Sequence, residues 1–192
     1  FYFIAAEETE AVLRTILELV QVRIPAKFGF KPSTDIQVLA PMHRGLVGAQ
    51  NLNREIQKLL NPTGAGIDRG CVLFRVGDKV MQTANDYDRD VYNGDVGFVV
   101  AIDREDHVMK VNFDGRIVAY EFNALDDLEL AYAVTVHKSQ GSEYKAVVMP
   151  VHTTHYVMLR RNLLYTGITR GRKLVCLVGQ KRAVAMAVEN VS

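Results

Sequence analysis

Val12, Ile16, Leu19 and Val20 fall at positions i, i+4, i+7 and i+8. That is one apolar stripe of a helix running from about Thr9 to Val22, with Pro25 and Gly29 as its stops. Ile36 to Ala40 is a short apolar run closed by Pro41 and reads as a buried strand, after which Leu52, Ile56, Leu59 and Leu60 return to helical spacing until Asn61-Pro62. Alternation of strand and helix predicts an α/β layer built on a parallel sheet.

From Gly77 to about Leu130 the pattern changes. Lys79 to Thr83, Val96 to Ile102, Val108 to Phe113 and Ile117 to Phe122 are short runs rich in β-branched residues, interrupted at Asn93-Gly94 and Asp114-Gly115. The second pair stands between two strand-like runs, as a two-residue hairpin turn does. The segment reads as a small all-β barrel. After residue 130 the α/β alternation resumes, with Ala146 to Pro150 and Leu174 to Gly179 as strands and Arg160 to Thr169 and Lys181 to Val188 as helices. Leu130 to Val136 alternates only partly and fits either strand or helix. The expected organisation is therefore one discontinuous lobe, residues 1–76 and 131–192, interrupted by an inserted barrel at 77–130, with Pro62 to Gly70 as a linker.

Composition sets bounds on this picture. The 192 residues are 48% hydrophobic and 23% charged, enough to bury a sizeable core. No apolar run approaches the roughly 20 residues that span a bilayer, and the first residues lack the basic stretch of a signal peptide, so a cytoplasmic protein with no membrane partner is expected. Phe1 in place of an initiating methionine points to a piece of a longer chain. Cys71 and Cys176 stand far apart without metal-ligand spacing, and no metal site is expected. Charge changes the picture more. The formal net charge is +2 over residues 1–76, −8 over 77–130 and +7 over 131–192. The basic end, with Arg160-Arg161 and Arg172-Lys173, suits the phosphates of a nucleotide or a nucleic acid.

Three clusters carry candidate chemistry at places where an apolar run gives way to polar residues. Ala40-Pro41-Met42-His43-Arg44-Gly45 offers a guanidinium from a loop beside a glycine. Thr135-Val136-His137-Lys138-Ser139-Gln140-Gly141-Ser142-Glu143-Tyr144 crowds hydroxyl, imidazole, ammonium and amide donors beside a glycine that lets backbone approach a ligand, and Glu143 can accept from ribose hydroxyls. A helix start capped by Ser142 is the competing reading. Tyr165-Thr166-Gly167-Ile168-Thr169-Arg170-Gly171-Arg172-Lys173 places an arginine at a helix end, where it faces a transferring phosphoryl group or simply complements the helix dipole. His152 and His155 have no third ligand nearby. Neither a G-x-S-x-G nucleophile elbow nor a G-x-x-x-x-G-K-[ST] phosphate loop occurs in the sequence.

Taken in order, Val38 to Gly45, Gly77 to Thr83 with Asn93 to Gly97, Thr135 to Glu143 and Tyr165 to Arg172 resemble the C-terminal half of a RecD-like superfamily I DNA helicase, the family of the exodeoxyribonuclease V alpha subunit. The resemblance implies a second RecA-like motor lobe, without its own phosphate loop, carrying an SH3-like barrel over Gly77 to Leu130. In that family two lobes clamp ATP and move 5′ to 3′ along single-stranded DNA, unwinding duplex in repair or recombination. By position, Arg44 and Arg170 match arginines that reach the γ-phosphate. Gly141 and Glu143 match nucleotide contacts. Thr135, His137, Lys138 and Ser139 match the DNA-facing part of the same motif, and Asn93 and Gly94 match the barrel face along the strand.

ATP and Mg²⁺ are thus expected in the complete motor and neither in this segment alone, which is expected to be inactive without the N-terminal lobe of the same protein. Single-stranded DNA is the expected partner, together with that lobe or with subunits of a nuclease–helicase complex. Two other readings stand beside this one: a nucleic-acid-binding or scaffold module without turnover, and the helicase half of a conjugative relaxase.

Overall fold

In the computed structural model, which describes residues 1–191, the elements follow the chain as β1 (Tyr2–Ala5), α1 (Thr9–Glu18), α2 (Ile24–Phe28), α3 (Pro32–Asp35), β2 (Ile36–Ala40) and α4 (Ala49–Leu60). Then come β3 (Gly66–Arg69), β4 (Val72–Arg75), β5 (Lys79–Gln82), β6 (Val96–Asp103), β7 (Val108–Phe113), β8 (Arg116–Glu121) and β9 (Leu128–Leu130). The chain closes with β10 (Ala133–Thr135), β11 (Tyr144–Val151), α5 (Arg161–Thr169), β12 (Gly171–Gly179) and α6 (Lys181–Glu189). It divides into two compact units, one of residues 1–60 with 133–192 and the other of residues 61–132.

The first unit is a five-stranded parallel sheet in the order β1-β12-β11-β2-β10. Every residue of β2 is buried, as are Ala146 to Val151 of β11, so both faces of the sheet are covered, as its near-continuous apolar runs require. α1 packs on β11, β12 and α4, whereas α5 packs on β11, β12 and α6. The α1 stripe buries Val12 and Ile16, and a wider π turn at Leu19–Arg23 carries the helix on into α2. Pro25 does not stop it: it follows directly on the π turn, where the Ile24 N–H still bonds the Leu19 carbonyl, and the backbone stays helical through the junction. Gly29, at φ 68°, does.

The second unit holds an antiparallel sheet in the order β8-β7-β6-β5-β9 and the two-stranded β3-β4 hairpin. Asp114 and Gly115 both have positive φ, 51° and 92°, which gives the tight β7–β8 hairpin its twist. Phe74, Val80, Val99, Met109, Val111 and Tyr120 are among the side chains of one shared core. That core explains a difference from the sequence reading, which expects residues 61–76 partly as a linker and wholly as part of the α/β lobe. Instead, Gly66–Arg69 pairs with Val72–Arg75, Phe74 is buried in the small unit, and Ile67 and Val72 pack against it. At the ends of this unit, Asp78 gathers Asn61 (2.8 Å), the N–H of Arg75 (2.7 Å) and the Tyr132 hydroxyl (2.8 Å).

Candidate functional site

The strands of the first unit are all parallel, so their carboxyl ends share one edge and their amino ends the other. Registers fix the levels. Ala146 of β11 lies beside both Ile36 and Leu174, Thr135 of β10 lies beside Ala40, and Tyr144 lies beside Gly171. The connection from Thr135 to Tyr144 leaves the carboxyl edge, passes β2 and returns to the amino edge, a drop of about six residues or roughly 20 Å. It does so without a helix. A single 3₁₀ turn, His137–Ser139, is followed by a turn at residues 140–141 and then directly by β11 from Tyr144, which removes the reading of a helix capped by Ser142. Leu130 to Val136, open from the sequence, is the end of β9 and then β10.

At the amino edge the structure brings two of the predicted clusters together. Arg170 donates from Nη1 to the Ser142 carbonyl at 3.1 Å and from Nε to the Thr166 carbonyl at 3.3 Å, while the N–H of Tyr144 donates to the Arg170 carbonyl at 2.8 Å. Glu143 pairs with Arg172. Gly141 turns the chain toward them at φ 83°, a conformation that any side chain would strain. One carboxylate and two guanidinium groups thus converge beside a loop of exposed backbone. Burial pushes the Tyr144 hydroxyl above its ordinary pKa.

At the carboxyl edge stand Thr135, His137 and Lys138. The Thr135 hydroxyl accepts from the Lys138 N–H at 3.4 Å, which shapes the turn, and His137 is exposed. Ser139 does not belong with them. It is fully buried, and its hydroxyl donates to the Val136 carbonyl at 2.6 Å, so it holds the turn instead of facing a ligand. Arg44 also lies at this edge, in the exposed loop between β2 and α4. The sheet therefore does not bring Arg44 and Arg170 together: their backbones stand about 20 Å apart along the strands. Arg161, half of the predicted basic pair, donates twice to the Val188 carbonyl, at 2.9 and 2.6 Å, and secures the end of α6, while Arg160 is exposed.

In the second unit the N–H of Asn93 donates to the Asn85 side chain at 2.9 Å, and that of Gly94, at φ 99°, donates to the Gln82 carbonyl at 2.8 Å. Both bonds hold the turn, and its segment also carries Asp86, Asp88, Asp90 and Asp95. Among the described residues no group of three or more His, Cys, Asp or Glu side chains is placed to hold a metal ion, and no helix is long and apolar enough to cross a membrane.

A parallel-sheet lobe with a turn of polar residues crossing from one edge to an arginine pair at the other, interrupted by a small antiparallel unit, has the architecture of a RecA-like lobe with an SH3-like insertion. The fold of a Bacteroides Pif1 helicase in complex with ADP-AlF3 and single-stranded DNA is similar, at TM-score 0.63 and 22% identity over 96% of this chain and 51% of that one. A family model for the SH3 domain of ATP-dependent RecD-like DNA helicases matches residues 52–113, and one for the UvrD-like helicase C-terminal domain matches 130–178. The ATP-dependent RecD2 DNA helicase of Deinococcus radiodurans is 40% identical over 152 residues, which are 79% of this chain and 21% of that protein. The RecD subunit of the RecBCD enzyme of Mycolicibacterium smegmatis is 35% identical over 80% of this chain and 26% of its own length. The chain is thus related to RecD-like DNA helicases and carries a UvrD-like helicase C-terminal domain. It spans about a fifth to a quarter of these curated relatives.

Proposed function

We propose that the chain is the C-terminal motor portion of an ATP-dependent helicase that moves 5′ to 3′ on single-stranded DNA and unwinds duplex in repair or recombination. The observation that carries this reading is the tie between Arg170 and the 141–144 loop, which unites the two predicted nucleotide clusters on one edge of the sheet while Thr135, His137 and Lys138 remain on the other. Glu143 is suited to the ribose hydroxyls and Arg170 and Arg172 to the phosphates, with Arg170 stabilising charge on the transferring γ-phosphoryl. The residues present fit one side of a nucleotide. They supply no phosphate loop, and ATP with its Mg²⁺ would be held mainly by the N-terminal lobe of the longer protein.

One continuous segment, residues 135–144, then touches both ligands, so a shift at one edge is carried to the other through its backbone. Phosphate contacts at the carboxyl edge are expected to be independent of DNA sequence. The barrel turn at Asn93-Gly94 is assigned to the same strand, and subunits of a nuclease–helicase complex are further partners. The test is ATP hydrolysis by the 192-residue chain with Mg²⁺ and single-stranded DNA, beside a binding titration on the same sample. Weak, salt-sensitive binding without turnover is expected. Turnover by these residues alone would overturn the two-lobe reading.

A further inference from the structure

In the second unit, where β6 turns into β7 and β8 ends, Asp106, His107, Val108, Glu121, Phe122 and Asn123 line a cavity of about 480 Å³, within the size range of small-ligand sites. The turn that shapes it is held from inside. The Asp103 carboxylate accepts the N–H groups of Glu105 and Asp106 at 2.9 and 3.0 Å, and the Phe122 N–H donates to the His107 carbonyl at 3.0 Å, which fixes the two rims to each other. His107 Nδ1 lies 3.1 Å from the Glu105 carbonyl, which can only accept, so the proton sits on Nδ1 and the neutral ring keeps Nε2 as an acceptor. That ring meets Phe122 edge to face, with centroids 5.5 Å apart.

Two rings and two carboxylates thus line one cavity, and among the described residues neither Asp106 nor Glu121 has an ion-pair partner. Residues 77–130 carry a net charge of −8, and Arg89 and Arg116 are already paired with Asp86 and Asp90. This excess repels a phosphate and favours a cation. A metal ion does not fit, since no three ligating side chains among the described residues are placed to hold one. A guanidinium does: its plane stacks on an aromatic ring, its fork of N–H groups meets a carboxylate, and its methylene stem covers apolar surface such as Val108. We propose that this cavity receives an arginine side chain from a basic protein segment, with Asp106 and Glu121 on the guanidinium and His107 and Phe122 against its face and stem. The cavity stands at the far end of β6 from the Asn93-Gly94 turn, roughly 20 Å along the strand. A protein bound there leaves the turn assigned to DNA uncovered.

The experiment uses the full natural chain and a fluorescent peptide of glycine and serine around one central arginine, titrated by anisotropy beside the same peptide carrying citrulline, which keeps the shape and removes the charge. The arginine peptide should bind about tenfold more tightly than the citrulline peptide. Glu121→Gln with Asp106→Asn, both at exposed positions, should abolish that preference while ATP hydrolysis and single-stranded DNA binding stay at the parent's level. Asp114→Asn, an equal kind of charge change at the opposite end of β7, should leave the preference intact. Equal binding of the two peptides, or a preference that Asp114→Asn reduces as much as the cavity substitutions do, would overturn the arginine site. A lysine peptide bound as tightly as the arginine peptide would overturn the assignment to a guanidinium.

Discussion

The Nη1 of Arg170 reaches the carbonyl oxygen of Ser142 at 3.1 Å, and the Arg170 carbonyl takes the N–H of Tyr144 at 2.8 Å. The end of α5 and the entry to β11 are therefore clamped by one residue from both its side chain and its backbone. A guanidinium held this way is pre-positioned, and it can exchange the Ser142 carbonyl for a phosphate oxygen with little movement.

Arg170→Ala in the complete motor should lower ATP turnover about a thousandfold or more, the scale of an arginine that stabilises a transferring phosphoryl group. Single-stranded DNA affinity should change little, since the edge proposed to meet DNA lies at the other end of the strands. Steady-state hydrolysis beside an equilibrium DNA titration separates the two. Parallel losses in both would assign Arg170 a folding role.

Arg44→Ala should also lower turnover, but by a smaller factor than Arg170→Ala. Arg44 is exposed in the β2–α4 loop, on the edge away from Glu143. With its backbone about 20 Å from that of Arg170 along the strands, it meets a nucleotide at the Glu143 edge only if its loop moves, whereas Arg170 is already held. Comparing kcat for the two variants decides the order, and an Arg44→Ala loss equal to or greater than that of Arg170→Ala would show that the loop closes across the sheet.

Lys138→Ala should weaken single-stranded DNA binding and make its dependence on salt shallower by about one unit of slope at most, because one fewer phosphate is neutralised and one fewer counterion released. The titration is repeated from low to high salt. An unchanged slope would remove Lys138 from the path of the strand.

Much of this organisation is legible in the sequence because it is written in local periods. Val12, Ile16, Leu19 and Val20 mark a helix by spacing alone, and Asp114-Gly115 marks a hairpin because its turn demands positive φ. The hairpin at 66–75 is hidden because Pro62 to Gly70 has the composition of a linker, and only the burial of Phe74 in a distant core makes it structure. Ser139 reads like its polar neighbours, yet the tightness of the 137–139 turn buries it. That Arg170 meets Ser142 while Arg44 does not depends on strand order and register, which no local pattern encodes. Val157 and Asn162 carry no motif; they converge with Gln140 on a cavity only after β10, β11 and α5 are packed.

Tyr120→Phe tests the polar part of the barrel core. The buried Tyr120 hydroxyl donates to Gln82 Oε1 at 2.8 Å, and the Gln82 Nε2 is buried without a partner among the described residues. Removing the hydroxyl leaves both ends of a buried amide unsatisfied, at a cost of about 1–3 kcal/mol. Urea unfolding should show the loss, and adding Gln82→Leu should recover most of it. A Tyr120→Phe variant as stable as the parent would mean that water reaches the amide.

The buried His155 ties stability to pH. Burial, with the neighbouring His152 as a lesser cause, lowers its pKa from 6.5 to about 4, and its Nδ1 has no partner among the described residues. The folded protein keeps this imidazole neutral where the unfolded chain would protonate it. Between about pH 6.5 and 4 the unfolded state therefore binds more protons, so stability rises with pH across that window and falls as pH drops through it. The loss begins near the unfolded pKa and is complete near the folded one, amounting to at most about 3 kcal/mol. Carboxylates titrate at the lower end of the same window, so the wild-type slope alone does not isolate His155. His155→Phe keeps the ring volume and removes the titration. Its thermal midpoint should fall less than that of the parent between about pH 7 and 4.5, and parallel curves for the two proteins would exclude His155 as the source.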